Sequence, residues 1–342
     1  MNKLEKKNSE DLSSRKKDHI KMAFEAQVSI LQQDSRFLYE PMLSKHHSSL
    51  EPFSFLGKQI QTPIWISSMT GGTKLANQIN FNLAKVANAF GMSMGLGSCR
   101  PILYSDDQLA DFDVRKTLGY ENLLFANLGI AQIEELFESN EIHKLIELVA
   151  KLQADGLIIH VNPLQEWLQP EGDRFKYAPI DTIKRVLDEV KFPIIIKEVG
   201  QGIGYHSLKE LIKLPLAAID FAAHGGTNFS KLELIRSSEK EKDYFQSIQT
   251  IGHSALEMID FTNNILNELE DKAVCKSFII SGGIKNFVDG YYLMNKLNSP
   301  SVYGQASTLL KYALESYDSL HNYIDAQVRG LVLANSYFKI RQ

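Results

Sequence analysis

One stretch of the sequence decides the fold: Leu157-Ile158-Ile159-His160-Val161-Asn162-Pro163-Leu164-Gln165-Glu166. It opens with an unbroken apolar run and passes directly into polar side chains. A short apolar run without alternation indicates a strand that is buried on both faces, as in a parallel sheet. We therefore expect the polar residues to lie at the carboxyl end of a buried strand, where barrel enzymes carry their chemistry.

The same pattern recurs along the chain, because short apolar runs alternate with segments of helical period. The predicted strands are Pro63–Met69, Met92–Gly97, Leu123–Asn127, Leu157–His160, Pro193–Val199, Ala217–Ala223, Phe278–Ser281 and Ser301–Tyr303. Eight strands, almost all followed by a helix candidate, predict an α/β fold of the (β/α)8 TIM barrel type, formed by a single domain over residues 1–342. The alternative is an open, doubly wound sheet.

The two ends of the chain lie outside this repeat. Residues 1–14 are polar, and we expect them to be mobile. Over Asp18–Gln33 the pattern predicts a helix with one apolar face, so that the barrel has an N-terminal basic helical extension. The apolar positions of this helix are Ile20, Phe24, Val28 and Leu31. A final amphipathic helix is predicted over Leu320–Phe338.

The composition excludes several classes of protein. The net charge of -4 gives no basic field of the kind that a nucleic-acid-binding protein needs. The two cysteines, Cys99 and Cys275, cannot form a disulfide framework, which favours a reducing compartment. The N-terminus is too polar for a signal peptide, and no apolar run approaches the roughly 20 residues of a membrane helix. We expect a cytoplasmic protein with no nucleic-acid partner and no membrane contact.

Glycine-rich clusters follow the last two predicted strands. Ser281-Gly282-Gly283-Ile284 comes after the seventh strand, and Gly304-Gln305-Ala306 after the eighth. Glycines after strands often serve only as turns. Barrels commonly bind a phosphate after strands seven and eight, however, where glycine lets the backbone approach the anion and a following helix directs its N–H groups at it. The sequence therefore predicts a phosphorylated cofactor or substrate.

Two further strand ends suit a flat cofactor ring. The backbone of Met69-Thr70-Gly71-Gly72 can read the edge of a flavin, and Lys197 can place a cation near the N1–C2=O edge of the ring. The alternative for Lys197 is a structural lysine paired with a neighbouring acid. An inward lysine at a strand end favours the functional interpretation.

The polar residues after the fourth strand have distinct chemistry. His160 and Asn162 alternate along the chain, so they share one face. Glu166 can bind Mg²⁺, because a single carboxylate together with substrate phosphates is typical of that ion. Gln165 is neutral, and it can orient a substrate or relay a proton through hydrogen bonds.

Basic residues at two places could hold a diphosphate. The first place is the cluster Arg15-Lys16-Lys17 with His19, which alone is usually a solvated face. The second is Arg100 after the second strand, whose planar guanidinium suits phosphate oxygens. Residues 228–250 are too polar for a buried helix, and they form either a lid over the site or a solvated surface excursion.

In combination these motifs resemble the type 2 isopentenyl-diphosphate isomerases, from about residue 15 to residue 306. The motifs that carry the resemblance are Arg15-Lys16-Lys17-Asp18-His19-Ile20, Met69-Thr70-Gly71-Gly72, Gly97-Ser98-Cys99-Arg100, His160-Val161-Asn162-Pro163-Leu164-Gln165-Glu166, Lys197-Glu198-Val199-Gly200, Gly225-Gly226-Thr227-Asn228-Phe229 and Ser281-Gly282-Gly283. Each motif is weak, but their order and spacing together are specific.

The resemblance implies an enzyme that interconverts isopentenyl and dimethylallyl diphosphate with reduced FMN and Mg²⁺, with NADPH as the flavin reductant and no net redox change. It implies FMN contacts at Ser68, Met69, Thr70, Ser98, Asn127, Lys197 and Thr227, and phosphate contacts at Gly282, Gly283, Ile284, Gln305 and Ala306. It places Arg15, Lys16, His19, Arg100, His160, Asn162 and Gln165 on the substrate, with Gln165 and His160 catalytic and Glu166 on Mg²⁺. It also implies a homo-oligomer, a tetramer or an octamer.

Two positions depart from the family pattern. Cys99 stands where glutamine is common, which we expect to be tolerated, and Ser247–His253 replaces a segment in which we expect tryptophan and glycine. The rival family is the FMN oxidases of 2-hydroxy acids, whose His-Gly-Gly turn is followed by an arginine that clamps the substrate carboxylate. Here Thr227 follows that turn. A non-catalytic flavin- or phosphate-binding sensor, the other rival, has no need of the Gln165–Glu166 pair.

Overall fold

The computed structural model of the chain describes residues 15–16, 18–68 and 74–341. Its centre is a closed barrel of eight parallel strands, which confirms the predicted (β/α)8 fold and excludes the open sheet. The strands are β1 (Ile64–Ile66), β2 (Ser93–Gly95), β3 (Leu124–Gly129), β4 (Gly156–His160), β5 (Ile194–Lys197), β6 (Ala218–Asp220), β7 (Phe278–Ser281) and β8 (Ser301–Gln305). Each strand pairs with its neighbours in sequence, and β8 returns to β1 to close the barrel.

Helices surround the barrel and connect its strands. In chain order the described α-helices are α1 (Lys74–Phe90), α2 (Arg115–Leu118), α3 (Ile130–Glu138), α4 (His143–Lys151), α5 (Pro163–Leu168), α6 (Pro179–Glu189), α7 (Tyr205–Ile212), α8 (Phe229–Arg236), α9 (Glu239–Phe245), α10 (Ala255–Leu269), α11 (Phe287–Lys296), α12 (Ser307–Glu315) and α13 (Tyr317–Tyr337). Their apolar faces and the outward strand residues form one large buried cluster. None of the described helices is long and apolar enough to cross a bilayer.

The inside of the barrel changes from apolar to polar along the strands. Its lower part is filled by Trp65, Phe125, Ile158, Ile195, Ala218, Ile279 and Val302. Because side chains alternate between the two faces of a strand, the next inward position is two residues further on. Six of these seven positions hold the polar residues Ser67, Asn127, His160, Lys197, Asp220 and Ser281, which we call the polar belt, and the seventh is Gly304. The belt lies at the carboxyl end of the barrel, where the functional residues are predicted.

A hairpin closes the opposite end of the barrel. Its strands, Phe53–Phe55 and Lys58–Ile60, are antiparallel and are joined by a tight turn at Leu56 and Gly57, both with positive φ. Phe55 and Ile60 are buried against the inner core, and the Phe55 ring lies 6.5 Å from the ring of Trp65 in an edge-on arrangement. The hairpin therefore completes the apolar filling that supports the polar belt from below.

The predicted terminal helices have different outcomes. The C-terminal helix is confirmed as α13, which packs beside α11 and α12. The helix predicted over Asp18–Gln33 is wrong, because helical backbone ends at residue 22 and only a 3-10 turn at Ile30–Gln32 follows. Its apolar side chains find no cover among the described residues: Phe24 is 81% and Leu31 92% exposed. Short helices are stable only when an apolar face packs against other residues, and the described residues offer no such surface here.

Replacing Phe55 with alanine tests the role of the hairpin. Loss of this buried ring opens a cavity under the inner core, so we expect the free energy of unfolding to fall by about 3 kcal/mol or more. Ser54→Ala, on the exposed face of the same strand, is the control and should change it by less than about 0.5 kcal/mol. Urea denaturation measures both, and equal effects would contradict the proposed closure of the barrel.

Candidate functional site

A cavity of about 210 Å³ opens at the carboxyl end of the barrel, over the belt residues Ser67, Lys197 and Ser281. Its lining includes eight of the residues expected to contact the cofactor: Ser68, Lys197, Thr227, Gly282, Gly283, Ile284, Gln305 and Ala306. Ser98 and Asn127 are not part of this lining, although Asn127 belongs to the belt beneath it. Met69 and Thr70 lie outside the described residues.

One end of the cavity has the features of a phosphate site. Gly282 has a φ of +98°, and a Cβ atom added there would lie 2.1 Å from the Ala223 carbonyl oxygen. Only glycine fits this turn, which leaves the backbone open to the cavity. Helix α12 begins beside it, and Ser307 and Thr308 of its first turn line the cavity. The free N–H groups of a helix N-terminus attract anions, as the sequence predicts for this place.

Unpartnered oxygens mark the other wall of the cavity. The hydroxyl groups of Ser67 and Ser68 are buried, and neither has a hydrogen-bond partner among the described residues. Both residues line the cavity. Buried polar atoms are nearly always hydrogen-bonded, so these two oxygens require a partner that the described residues do not supply. The edge of a flavin ring, with its donors and acceptors, suits such a wall.

Lys197 enters the cavity from β5 and is 8% exposed. Its Nζ donates to the carbonyl oxygen of Glu198 at 2.6 Å, and it forms no ion pair with a described residue. Glu198 in turn accepts backbone N–H bonds through Oε2 from Gly200, Gln201 and Gly202, at 2.6 to 3.0 Å. Burial raises the pKa of Glu198, and these bonds oppose the shift. The turn that directs Lys197 is thus fixed by one buried carboxyl group.

His160 is held in one orientation by its neighbour in the belt. Its Nδ1 lies 2.8 Å from Oδ1 of Asn127, whose amide Nδ2 donates to the Leu96 carbonyl oxygen. Asn127 Oδ1 is therefore the acceptor, and the Nδ1 of His160 carries the proton. Burial, with a smaller effect of the Lys197 cation, lowers the pKa of His160 to about 4. The ring is neutral near pH 7 and presents an unprotonated Nε2.

The residues after β4 form one hydrogen-bonded network, which brings together three of the predicted site residues. Asn162 Nδ2 donates to Gln165 Oε1 at 3.1 Å and to Glu166 Oε1 at 2.9 Å. Gln165 Nε2 donates to Glu233 Oε1 at 3.0 Å. The amide of Gln165 is therefore fixed at both ends, as a residue that orients a substrate requires.

Glu233 holds one of the predicted site residues, and sequence reasoning missed it. It lies on α8, within the segment interpreted as either a lid or a surface excursion, and it is buried. Its Oε1 also accepts from Gln169 at 2.9 Å. The signal was present, since Ser230, Glu233 and Leu234 have the spacing of one helical face, and all three are buried. This part of the segment therefore packs against the residues after β4.

The stretch Ser247–His253 packs against the turn after β5. Gln201 Nε2 donates to the Ile251 carbonyl oxygen at 2.9 Å, and the His253 N–H donates to the Gln201 carbonyl oxygen at 2.7 Å. The Ser230 hydroxyl donates to Gln201 Oε1 at 2.6 Å. Gln201 thus connects this stretch and α8 to the turn that carries Lys197. This packing takes the place of the expected tryptophan-glycine segment.

A small oxygen-rich group surrounds Glu166. Its Oε2 accepts the Asp173 N–H at 2.8 Å, and Asp173 lies 3.6 Å from the guanidinium of Arg100. Asn162 Oδ1 is buried nearby without a hydrogen-bond partner in the described part of the chain. Oxygen ligands of this kind suit Mg²⁺. No cluster of three His, Cys, Asp or Glu side chains that could hold a metal is found among the described residues, so substrate or water would have to complete the shell.

The remaining predicted residues are not joined to the cavity. Arg15, Lys16 and His19 are exposed, and their side chains form no hydrogen bond or ion pair within residues 15–16, 18–68 and 74–341. Their role stays a prediction. Cys99 faces the core, where burial raises the pKa of its thiol to about 12, so it is an inert packing residue.

Comparison with known proteins identifies close relatives in sequence. The chain is 32% identical over 316 residues to an isopentenyl-diphosphate delta-isomerase of Rickettsia typhi, which covers 91% of this chain and 88% of the relative. It is 31% identical over 325 residues to the corresponding protein of Rickettsia akari, covering 93% and 90%. No family model matches the chain.

Comparison with solved structures identifies the same fold in flavoenzymes. A flavocytochrome b2 variant with sulfite bound superposes with a TM-score of 0.60 at 13% identity, covering 87% of this chain and 71% of that one. A mandelate oxidase variant superposes with a TM-score of 0.55 at 11% identity, covering 90% and 88%. At such low identity the likeness establishes the barrel fold alone.

The neutral state of His160 makes a prediction about stability. Its folded pKa of about 4 lies below the ordinary value of 6.5, so between these values the unfolded chain binds more protons there. The contribution to stability is present above pH 6.5 and is lost as the pH falls toward 4. We expect the unfolding free energy of the wild type, minus that of His160→Gln, to rise with pH across this window. Urea titrations at several pH values measure the difference, and a flat difference would contradict a neutral, buried His160.

Proposed function

The chain belongs to the isopentenyl-diphosphate delta-isomerase family, and on that basis we propose that it interconverts isopentenyl and dimethylallyl diphosphate with reduced FMN and Mg²⁺. NADPH supplies the electrons that keep the flavin reduced, and the isomerisation itself has no net redox change. Residues 1–342 act as one FMN-binding barrel domain. The observation that carries the proposal is the cavity over the polar belt, with its glycine turn and its two unpartnered hydroxyl groups.

Moving a double bond requires a proton to be added at one carbon and another to be removed nearby. Side chains are weak acids toward an alkene. Here His160 is neutral, with its Nδ1–H committed to Asn127, and no carboxylate lines the described cavity. When bound, reduced FMN would supply the acid–base group at N5. Gln165, held by Asn162 and Glu233, orients the alkene, and the turn that carries Lys197 keeps its cation facing the ring site.

The FMN assignment rests on two ends of the same cavity. The phosphate end combines Gly282, Gly283 and the first turn of α12, which offer backbone N–H groups and the hydroxyl groups of Ser307 and Thr308. The ring end combines Lys197 with the hydroxyl groups of Ser67 and Ser68. In the proposal Ala306, Gln305 and Ile284 complete the phosphate contacts, while Met69, Thr70, Ser98, Asn127 and Thr227 complete those of the ring.

Mg²⁺ and the diphosphate belong to the rim beside β4 in this proposal. Glu166 supplies a carboxylate and Asn162 an unpartnered amide oxygen, so that the diphosphate and water supply the other ligands. Asp173 donates its N–H to Glu166 and lies 3.6 Å from the guanidinium of Arg100. Arg100 thereby adds a cation for the phosphate oxygens near Glu166. Arg15 and Lys16 provide further cations, and His19 a further hydrogen-bonding group, when the N-terminal segment closes over a rim. His160 accepts a hydrogen bond at Nε2.

Exposed apolar side chains support a homo-oligomer, which we propose as a tetramer or an octamer. Between residues 20 and 43 these side chains are Ile20, Met22, Phe24, Val28, Ile30, Leu31, Leu38, Tyr39, Met42 and Leu43. A contiguous apolar surface is unfavourable in water and marks an interaction site. A second copy of the chain that covers it would also hold the basic residues of the N-terminal segment close to a rim.

The decisive experiment separates the isomerase from the rival 2-hydroxy-acid oxidase. The purified protein is loaded with FMN and Mg²⁺, reduced anaerobically with NADPH or dithionite, and incubated with isopentenyl diphosphate. We expect dimethylallyl diphosphate to form, and no turnover of lactate or mandelate by the oxidised protein, because Thr227 replaces the arginine needed for a carboxylate. Oxidation of those acids without isomerisation would overturn the proposal.

Substitution of Gly282 tests the phosphate end of the cavity. Gly282→Ala combines a strained positive φ with a Cβ clash against Ala223, so we expect FMN affinity to fall by at least about tenfold. Gly57→Ala is the matched control, because Gly57 has a φ of +82° with open space around it and lies in the distant hairpin. Fluorescence titration with FMN measures both affinities. Equal affinity in the wild type and Gly282→Ala would place the phosphate elsewhere.

Substitution of Glu166 tests the metal site. Glu166→Gln keeps the shape of the side chain but removes its charge, so we expect the Mg²⁺ concentration for half-maximal isomerisation to rise by about tenfold or more. FMN affinity should stay unchanged, since Glu166 does not line the cofactor cavity. Glu171→Gln, an exposed acid in the following loop, is the control. An unaltered Mg²⁺ dependence in Glu166→Gln would exclude Glu166 as a ligand.

A further inference from the structure

Asp220 is a fully buried acid that the proposed chemistry does not yet use. It ends β6 in register with Lys197 of β5, its neighbour in the polar belt. Its Oδ1 accepts the hydroxyl of Ser281 and, at 3.4 Å, the N–H of Ala222. Its Oδ2 is buried and has no hydrogen-bond partner among the described residues. Asp220 does not line the cavity but lies under its floor.

The pKa of Asp220 is raised, with burial as the largest cause, but hydrogen-bond donors face its Oδ1, as they do around a carboxylate. The Lys197 cation, the Ser281 hydroxyl and the Ala222 N–H all act in the opposite direction to burial. Ser281 Oγ accepts the Ala222 N–H at 2.9 Å, so its own proton points to Asp220. A buried anion is stable only beside a cation, and Lys197 is the cation of the belt, because His160 is neutral.

We propose that Asp220 is a positioning residue, a buried charge that acts on the field of Lys197 without an ion-pair contact, and that it sets the reduction potential of the bound flavin through that lysine. The inference rests on the proposed function, since it requires FMN in the cavity. A cation beneath the ring stabilises the anionic reduced form over the neutral oxidised form. Asp220 offsets part of the field of Lys197, and it keeps the charge under the ring site balanced when the site is empty.

Asp220→Asn tests this assignment without relying on turnover. The amide keeps the size of the side chain and can still accept the Ser281 hydroxyl, but it removes the negative charge. The ring then lies above an uncompensated Lys197. We expect the reduced flavin to bind about tenfold more tightly relative to the oxidised flavin than in the wild type, which raises the midpoint potential by about 30 mV for a two-electron couple. Spectroelectrochemical titration of the FMN-loaded protein measures the shift.

Asp155→Asn is the matched control for the loss of a partly buried aspartate. Asp155 precedes β4 at the opposite end of the barrel, where it pairs with Lys58 and Arg115, each at 2.7 Å. Its loss should lower stability and leave the flavin potential unchanged. Lys197→Met should shift the flavin potential in the opposite direction. It removes the cation beneath the ring, so the potential should fall below that of the wild type.

The outcomes separate this inference from the proposed function. A wild-type protein that takes up no FMN overturns both. FMN uptake with an unchanged or lower potential in Asp220→Asn overturns the role of Asp220 and leaves the proposed function standing. Where Asp220→Asn does not fold, Ser281→Ala takes its place. It removes a donor that stabilises the carboxylate, so a smaller rise in potential is expected, and no rise overturns the assignment.

Discussion

The polar belt is the constraint on which the site depends. Alternation along the barrel strands places six polar side chains on the inner face, immediately above a filled apolar core. Burying such groups is unfavourable unless they satisfy one another. Asn127 holds His160, and Ser281 holds Asp220, while Lys197 donates to the backbone of its own turn. The Ser67 hydroxyl and Oδ2 of Asp220 have no hydrogen-bond partner among the described residues, nor has the hydroxyl of Ser68 next to the belt. Ser67 and Ser68 line the cavity, so they bear on the chemistry of its occupant.

The site has two halves that meet at Lys197 and His160. One half is the cavity between the turns after β1, β5, β6, β7 and β8, which suits a ring and a phosphate. The other half is the network of Asn162, Gln165 and Glu166 after β4, capped by Glu233 from α8. Gln201 joins them, because it ties α8 and the following stretch to the turn that directs Lys197. The proposed cofactor and substrate sites are thus coupled through one loop.

Sequence patterns predicted what depends on local periodicity. The buried strands and their polar ends follow from runs such as Leu157–Glu166. A residue that follows the carboxyl end of a strand lies at the carboxyl end of the barrel. Patterns failed where burial depends on distant partners. The apolar spacing of Ile20 and Phe24 suggested a helix, yet its face is not covered by any of the described residues. Glu233 and Asp220 are buried acids whose partners come from other strands and helices, so charge alone could not identify them, although the spacing of Ser230, Glu233 and Leu234 on one helical face was a signal for Glu233.

In the proposed function the side chains bind and orient the substrate, whereas the cofactor that they surround transfers the proton. The most direct measurement replaces FMN with 5-deaza-FMN, which keeps the ring and the phosphate but changes the reactive nitrogen N5 to carbon. The account predicts that the analogue binds with an affinity close to that of FMN and that, once reduced, it gives no dimethylallyl diphosphate. Turnover at the rate of the FMN-loaded protein would contradict the account and return the proton transfer to the protein.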